Sequence, residues 1–118
     1  MATHHKISAE DLKAMRDRGA DMVLINTLSE EKFAEGHIAG SENVPNDAPH
    51  FVEEIERLAG SKGRHIVVYC GGGKESALAA FALEDAGFSN VDHFQGGMAE
   101  WNRLGYPVET GLHSESRR

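Results

Sequence analysis

The chain holds a single cysteine, few cations and no long apolar run, and each shortage excludes a class of protein. One cysteine, Cys70, makes no internal disulfide, no Cys-x-x-Cys redox pair and no thiolate-rich zinc site. It is either a small buried hydrophobe or a reactive thiol. Apolar stretches last a handful of residues, against the roughly 20 that a membrane span needs, so no membrane partner is expected. The opening Met1-Ala2-Thr3-His4-His5-Lys6 has no apolar h-region, which predicts no secretory signal and a cytoplasmic location. Twelve Lys and Arg against 19 Asp and Glu leave a formal charge of −7. That balance repels polyanions, and no nucleic-acid partner is expected. The seven histidines are scattered, with no i,i+4 pair to present two rings on one helix face. Neither a metal site nor a cofactor is predicted.

What the chain does have is an ordinary globular composition, 40% apolar and 26% charged, over the 118 residues of one domain. The expected domain runs over residues 1–112, and the polar residues 113–118 are expected to form a disordered tail. Helical and strand patterns alternate. Ile7 closes a short strand, and Ser8 caps a helix whose apolar face holds Leu12 and Met15 before Gly19 ends it. Met22-Val23-Leu24-Ile25 is a continuous apolar run, the mark of a strand covered on both faces. Ser29 caps a short helix that stops at Gly36, and Asn43-Val44 before Pro45 leaves room only for a short strand. Pro49 is expected in the first turn of a helix with Phe51, Ile55 and Leu58 as its stripe and Gly60 after its end. Ile66-Val67-Val68-Tyr69 is the strongest strand, an Ala-rich helix follows from Lys74 to Ala86, and Val91 to Phe94 forms the last strand. Met98, Trp101 and Leu104 mark a final short helix. The prediction is an α/β fold, a mostly parallel sheet of five strands with helices on both faces.

Ligand sites in such sheets lie beyond the carboxyl ends of strands. Cys70 stands at that place, followed by Gly71-Gly72-Gly73-Lys74-Glu75-Ser76 and a helix start. Glycines allow the backbone to curl with its N–H groups inward, forming a nest for an anion, and the helix dipole adds about half a positive charge. If the anion is the Cys70 thiolate, the loop makes a nucleophile without a histidine base. Cysteine is also a common core filler, and glycines serve tight βα turns. On these residues alone the reactive and inert readings stay balanced. Other loop chemistries fail: a P-loop requires Ser or Thr where Glu75 stands, a Rossmann loop requires glycine at Ser76, and a cysteine phosphatase requires arginine at Ser76.

Blocks along the chain resemble the single-domain rhodaneses. They are Val23-Leu24-Ile25-Asn26, Glu30-Glu31-Lys32-Phe33, Gly36-His37-Ile38-Ala39-Gly40-Ser41 and Asn43-Val44-Pro45 in the first half. Ile66 to Cys70, Ser76-Ala77, Ala86-Gly87-Phe88 and Gly96-Gly97-Met98-Ala99-Glu100-Trp101 follow in the second. The resemblance spans Ile7 to Val108. It implies a sulfurtransferase in which Cys70 carries sulfane sulfur as a persulfide, from a donor such as a persulfide or thiosulfate to a thiol or cyanide acceptor. Gly71, Gly72, Gly73, Lys74, Glu75 and Ser76 would bind substrate, their amides holding the persulfide anion. The partners implied are a small-molecule sulfur donor and a thiol acceptor, small or on a protein. His37 resembles the family's structural loop histidine.

Two departures stand out. Many members have Asp-x-Arg where this chain has Asn26-Thr27-Leu28, and many thiosulfate users have arginine where this chain has Glu75. At an effective dielectric near 20, unit charges about 4 Å apart interact by roughly 4 kcal/mol, so a reversed sign matters if it faces the site. Thiosulfate is therefore expected to be a poorer donor than a less charged persulfide. The same departures suit an alternative, a non-catalytic rhodanese-like module for binding or redox sensing.

Overall fold

The computed structural model describes residues 5–111; the tail expected at 113–118 lies outside them. Five strands form one sheet in the order β1 (His5–Lys6), β6 (Val91–Phe94), β5 (Ile66–Tyr69), β2 (Val23–Asn26), β4 (Glu42–Asn43). Every pairing in that sheet is parallel. The expected five-stranded α/β architecture is the one observed.

Both faces of the sheet are covered, which is why the central strands lack polar alternation. Val23, Ile25, Ile66, Val68 and Val91 face one core with α3 (Phe51–Ala59) and α4 (Lys74–Asp85). Leu24, Val67, Tyr69 and Phe94 face the other, with α1 (Ala9–Asp17) and α5 (Gly97–Arg103). Full burial of side chains such as Ile25, Leu83 or Phe88 contributes about 1.5–3 kcal/mol each.

Ser8 accepts from the amide of Asp11 at 3.0 Å and Ser29 from that of Lys32 at 3.3 Å, capping α1 and α2 (Glu30–Glu35) as the sequence predicts. Gly60 ends α3 in the left-handed conformation, φ 85°. Pro49 falls outside α3: the helix starts at Phe51 with His50 as its N-cap. One unpredicted element is an antiparallel ribbon of β3 (His37–Ile38) and β7 (Val108–Glu109), two residues to a strand. It positions His37, which is buried, stacks on Phe33 at 3.7 Å and places Nδ1 2.8 Å from the Phe33 carbonyl. That is the packing role the resemblance implied. Trp101 and Phe94 are fully buried core residues.

Among the described residues no helix is long and apolar enough to cross a membrane. No group of three or more His, Cys, Asp or Glu among them is placed to hold a metal ion.

Candidate active site

Cys70 follows β5, the central strand, and its sulfur meets the first turn of α4. The early N–H groups of any helix lack intrahelical acceptors, and a side-chain oxygen at the N-cap normally supplies one. The N-cap of α4 is Gly73, which has no side chain to offer. Cys70 Sγ takes over, accepting from the Gly73 amide at 3.1 Å, the Ser76 amide at 3.4 Å and the Ser76 hydroxyl at 3.3 Å. Of the amides from Gly71 to Ser76, those two are the ones bonded to the sulfur. A sulfur ringed by N–H and O–H donors at a positive helix end is better suited to carry negative charge than a sulfur in an aliphatic core.

Of the loop glycines, only Gly73 adopts a positive φ, 101°. A Cβ there would also collide with the Gln95 carbonyl, so both conformation and space require glycine. The loop carbonyls point the other way. Cys70 O accepts from Met98 N at 2.8 Å and Gly71 O from Ala99 N at 3.0 Å, so the start of α5 holds the loop from behind. Gly97, at φ 59°, permits this approach, since a Cβ would strike both carbonyls. Gly97 thus lets the start of α5 hold the loop's carbonyls away from the sulfur.

The sulfur forms part of the floor of a cavity of about 740 Å³. Cys70 itself is only 2% exposed. Gly71, Gly72, Lys74 and Glu75 line the cavity with it, while Gly73 and Ser76 are buried behind the sulfur. The sequence reading missed the opposite wall, made by Ser29, Lys32, Glu35 and Gly36, and the contributions of Met98 and Asn102. Two lysines, Lys32 and Lys74, and two glutamates, Glu35 and Glu75, line the cavity, and Leu28 occupies the wall where the family often has arginine. The mouth carries balanced charge.

Asn26, the other departure, lies apart from the cavity. Its Nδ2 donates to the Tyr69 hydroxyl at 3.0 Å and its Oδ1 accepts from Leu28 N at 2.9 Å. The Tyr69 hydroxyl also receives the Ile38 amide at 3.0 Å and meets Ser41 Oγ at 2.9 Å. Burial pushes the tyrosine's pKa above its usual value, opposed by the hydrogen bonds of Ser41, Asn26 and Ile38.

His93 is the residue that sequence reasoning passed over. It sits on β6 in register with Val68, buried, with Nε2 2.7 Å from Ser76 Oγ. The sequence reading has a nucleophile without a histidine base; the structure places one imidazole behind the sulfur, a single hydroxyl away. Its signal was present in the pattern, a polar ring two residues after Val91 and so on the same core-facing side of the strand.

The site's setting matches known proteins. A thiosulfate sulfurtransferase named GlpE from Pseudomonas fluorescens is 34% identical over 110 residues, covering 93% of this chain and 94% of that one. In fold, the solution structure of a rhodanese-like domain from an Anabaena protein superposes with a TM-score of 0.81 at 26% identity, covering 96% of this chain and 84% of that one. A thiosulfate sulfurtransferase from Pseudomonas aeruginosa gives a TM-score of 0.85 at 24% identity over 94% of this chain, which spans 21% of that larger protein. The profile of the rhodanese-like domain matches residues 8–104, from the cap of α1 to the end of α5, and the chain belongs to that family.

Proposed function

We propose that the chain is a rhodanese-type sulfurtransferase in which Cys70 carries the transferred sulfur. The observation behind this is the trio of donors on Cys70 Sγ, from Gly73 N, Ser76 N and Ser76 Oγ, at the floor of an open cavity. The Cys70 thiolate attacks the outer sulfur of a donor R–S–S⁻. A new S–S bond forms to Cys70, the donor's own S–S bond breaks, and RS⁻ leaves with the electron pair. The Cys70 persulfide anion then sits at the N-terminus of α4, where the helix dipole stabilises it. An acceptor thiolate, on a small molecule or a protein, takes the outer sulfur and restores Cys70. Such chemistry requires reduced thiols, as the cytoplasm supplies.

The balanced charges of Lys32, Lys74, Glu35 and Glu75, with Leu28 and Met98, favour a donor of low net charge. A cavity of about 740 Å³ also lies in the size range of organic small-molecule sites, well beyond an ion as small as thiosulfate. Intact-mass spectrometry of the full chain, after exposure to thiosulfate or to a low-molecular-weight persulfide, tests the assignment. The expected result is the gain of one sulfur atom, lost on adding cyanide or a thiol and absent from Cys70→Ser, with the persulfide loading faster. No adduct with either donor, or an adduct that persists in Cys70→Ser, would overturn it; the former outcome would leave a binding or sensing module.

A further inference from the structure

We infer that His93 is a positioning residue for Cys70, working through Ser76 as a hydroxyl relay that takes up the thiol's proton. The inference rests on Cys70 being the sulfur carrier. It begins with hydrogen-bond arithmetic at Ser76. A hydroxyl has one proton to give. Ser76 Oγ lies 3.3 Å from Cys70 Sγ, 3.4 Å from the Gly73 carbonyl and 2.7 Å from His93 Nε2. The imidazole contact is the shortest and decides where the hydroxyl proton points.

The relay has two end states. With Nε2 bare, the hydroxyl donates to it, and the Cys70 thiol donates to Oγ. With Nε2 protonated, the ring donates to Oγ, and the hydroxyl donates to the thiolate as its third donor beside the Gly73 and Ser76 amides. Going from the first to the second, the S–H bond breaks as an O–H bond forms, and the old O–H bond breaks as an N–H bond forms. The sulfur becomes an anion, the ring a cation, and net charge is unchanged. Ser76 and His93 are both buried, so the ion pair is weakly screened.

The titratable groups around His93 lie on β1, β5 and α4 and within β6 itself. Lys6 is the register partner of His93 on β1, and Cys70 follows β5. On α4 the titratable groups are Lys74, Glu75, Glu84 and Asp85, of which Lys74 and Glu75 line the cavity mouth. Asp92 pairs with His65 at 2.6 Å, and its neighbour in sequence, His93, projects to the opposite face of the sheet.

Because the chain has one cysteine, thiol reactivity reports on this site alone. Iodoacetamide alkylation followed across pH, with no sulfur donor present, separates this inference from the transfer reaction itself. His93→Phe should move the alkylation profile to higher pH and slow the rate at neutral pH by about tenfold. Ser76→Ala should do the same, and the double variant should lose no more than the worse single one, as members of one relay do. An unshifted profile in a folded His93→Phe chain, or losses that multiply in the double variant, would overturn the relay. The unmutated protein gives a second measure, independent of whether the variants fold. With ¹⁵N-labelled histidine, the His93 Nε2 resonance should respond over the pH range in which Cys70 becomes reactive, and the response should vanish in Cys70→Ser. A resonance that stays constant over that range, or moves identically in Cys70→Ser, is incompatible with it.

Discussion

Tyr69 ends β5 with its side chain on the α1–α5 face of the sheet, and Cys70, the next residue, directs its sulfur toward α4. Each places a weak acid among three hydrogen-bonding partners. The Tyr69 hydroxyl has Asn26, Ile38 and Ser41; the Cys70 sulfur has the Gly73 amide and both the amide and hydroxyl of Ser76. Their surroundings then diverge. Tyr69 is fully buried, and burial holds it in the neutral form. Cys70 sits at a helix N-terminus and lines an open cavity that a reactant can enter. Similar partner counts therefore accompany a structural clamp at Tyr69 and the proposed sulfur carrier at Cys70. What separates them is that Cys70 borders a cavity and a helix N-terminus, and Tyr69 borders neither.

The comparison breaks most directly at the clamp. Tyr69→Phe removes the hydroxyl and leaves the Asn26 side-chain amide and the Ile38 N–H with no acceptor in a dry core. At about 1–3 kcal/mol for each buried unsatisfied group, the two together should cost about 2–6 kcal/mol of unfolding free energy by urea titration. Sulfur transfer per folded molecule should stay near the wild-type rate. If transfer collapses while stability holds, the two residues share one function and the division is wrong.

A smaller effect follows from pH. The folded-state pKa of Tyr69 is raised, so above the usual phenol value near 10 the unfolded chain releases a proton that the folded chain keeps. Stability from this group is complete below that pH. It declines by at most about 1.4 kcal/mol per unit as pH rises toward the folded value. The stability difference between wild type and Tyr69→Phe should therefore narrow on the alkaline side. A difference that stays flat there would mean that the hydroxyl ionises as freely in the core as in water.

Much of this was legible in the sequence, and the gaps have a common physical origin. The apolar run Ile66 to Tyr69, the caps Ser8 and Ser29, and Gly60 after α3 are local signals, and each appears in the structure where expected. The Cys70 loop was legible as a candidate because strand end, glycines and helix start are contiguous. Which of its glycines turns left-handed was not, because that depends on Gln95 and Gly97, more than 20 residues away. The β3–β7 ribbon was hidden for the same reason: two-residue strands carry no periodicity, and only long-range pairing creates them. His93 was visible in a strand, but the alternation of side chains does not say which face receives α4. Placing Ser76 beside it required the packing of α4 on β5 and β6.

The charge at the mouth of the cavity offers the mildest test. Glu75 is exposed, so its influence is screened by solvent and salt and should be modest. It nonetheless lines the same cavity as Cys70, and a dianionic donor must pass it where a donor of balanced charge is unhindered. Glu75→Gln should speed turnover with thiosulfate by about three- to tenfold at low ionic strength, with the gain shrinking as salt is added. Turnover with a zwitterionic persulfide should change less than twofold by the same electrostatic reasoning. The comparison of donors within one variant matters more than either rate, because a general change in loop geometry would move both together. Equal gains for the two donors would trace the effect to the Gly73–Ser76 cradle. No gain for thiosulfate would mean that the carboxylate does not border the donor's path, and the preference for weakly charged donors would then rest on Glu35, Leu28 and Met98.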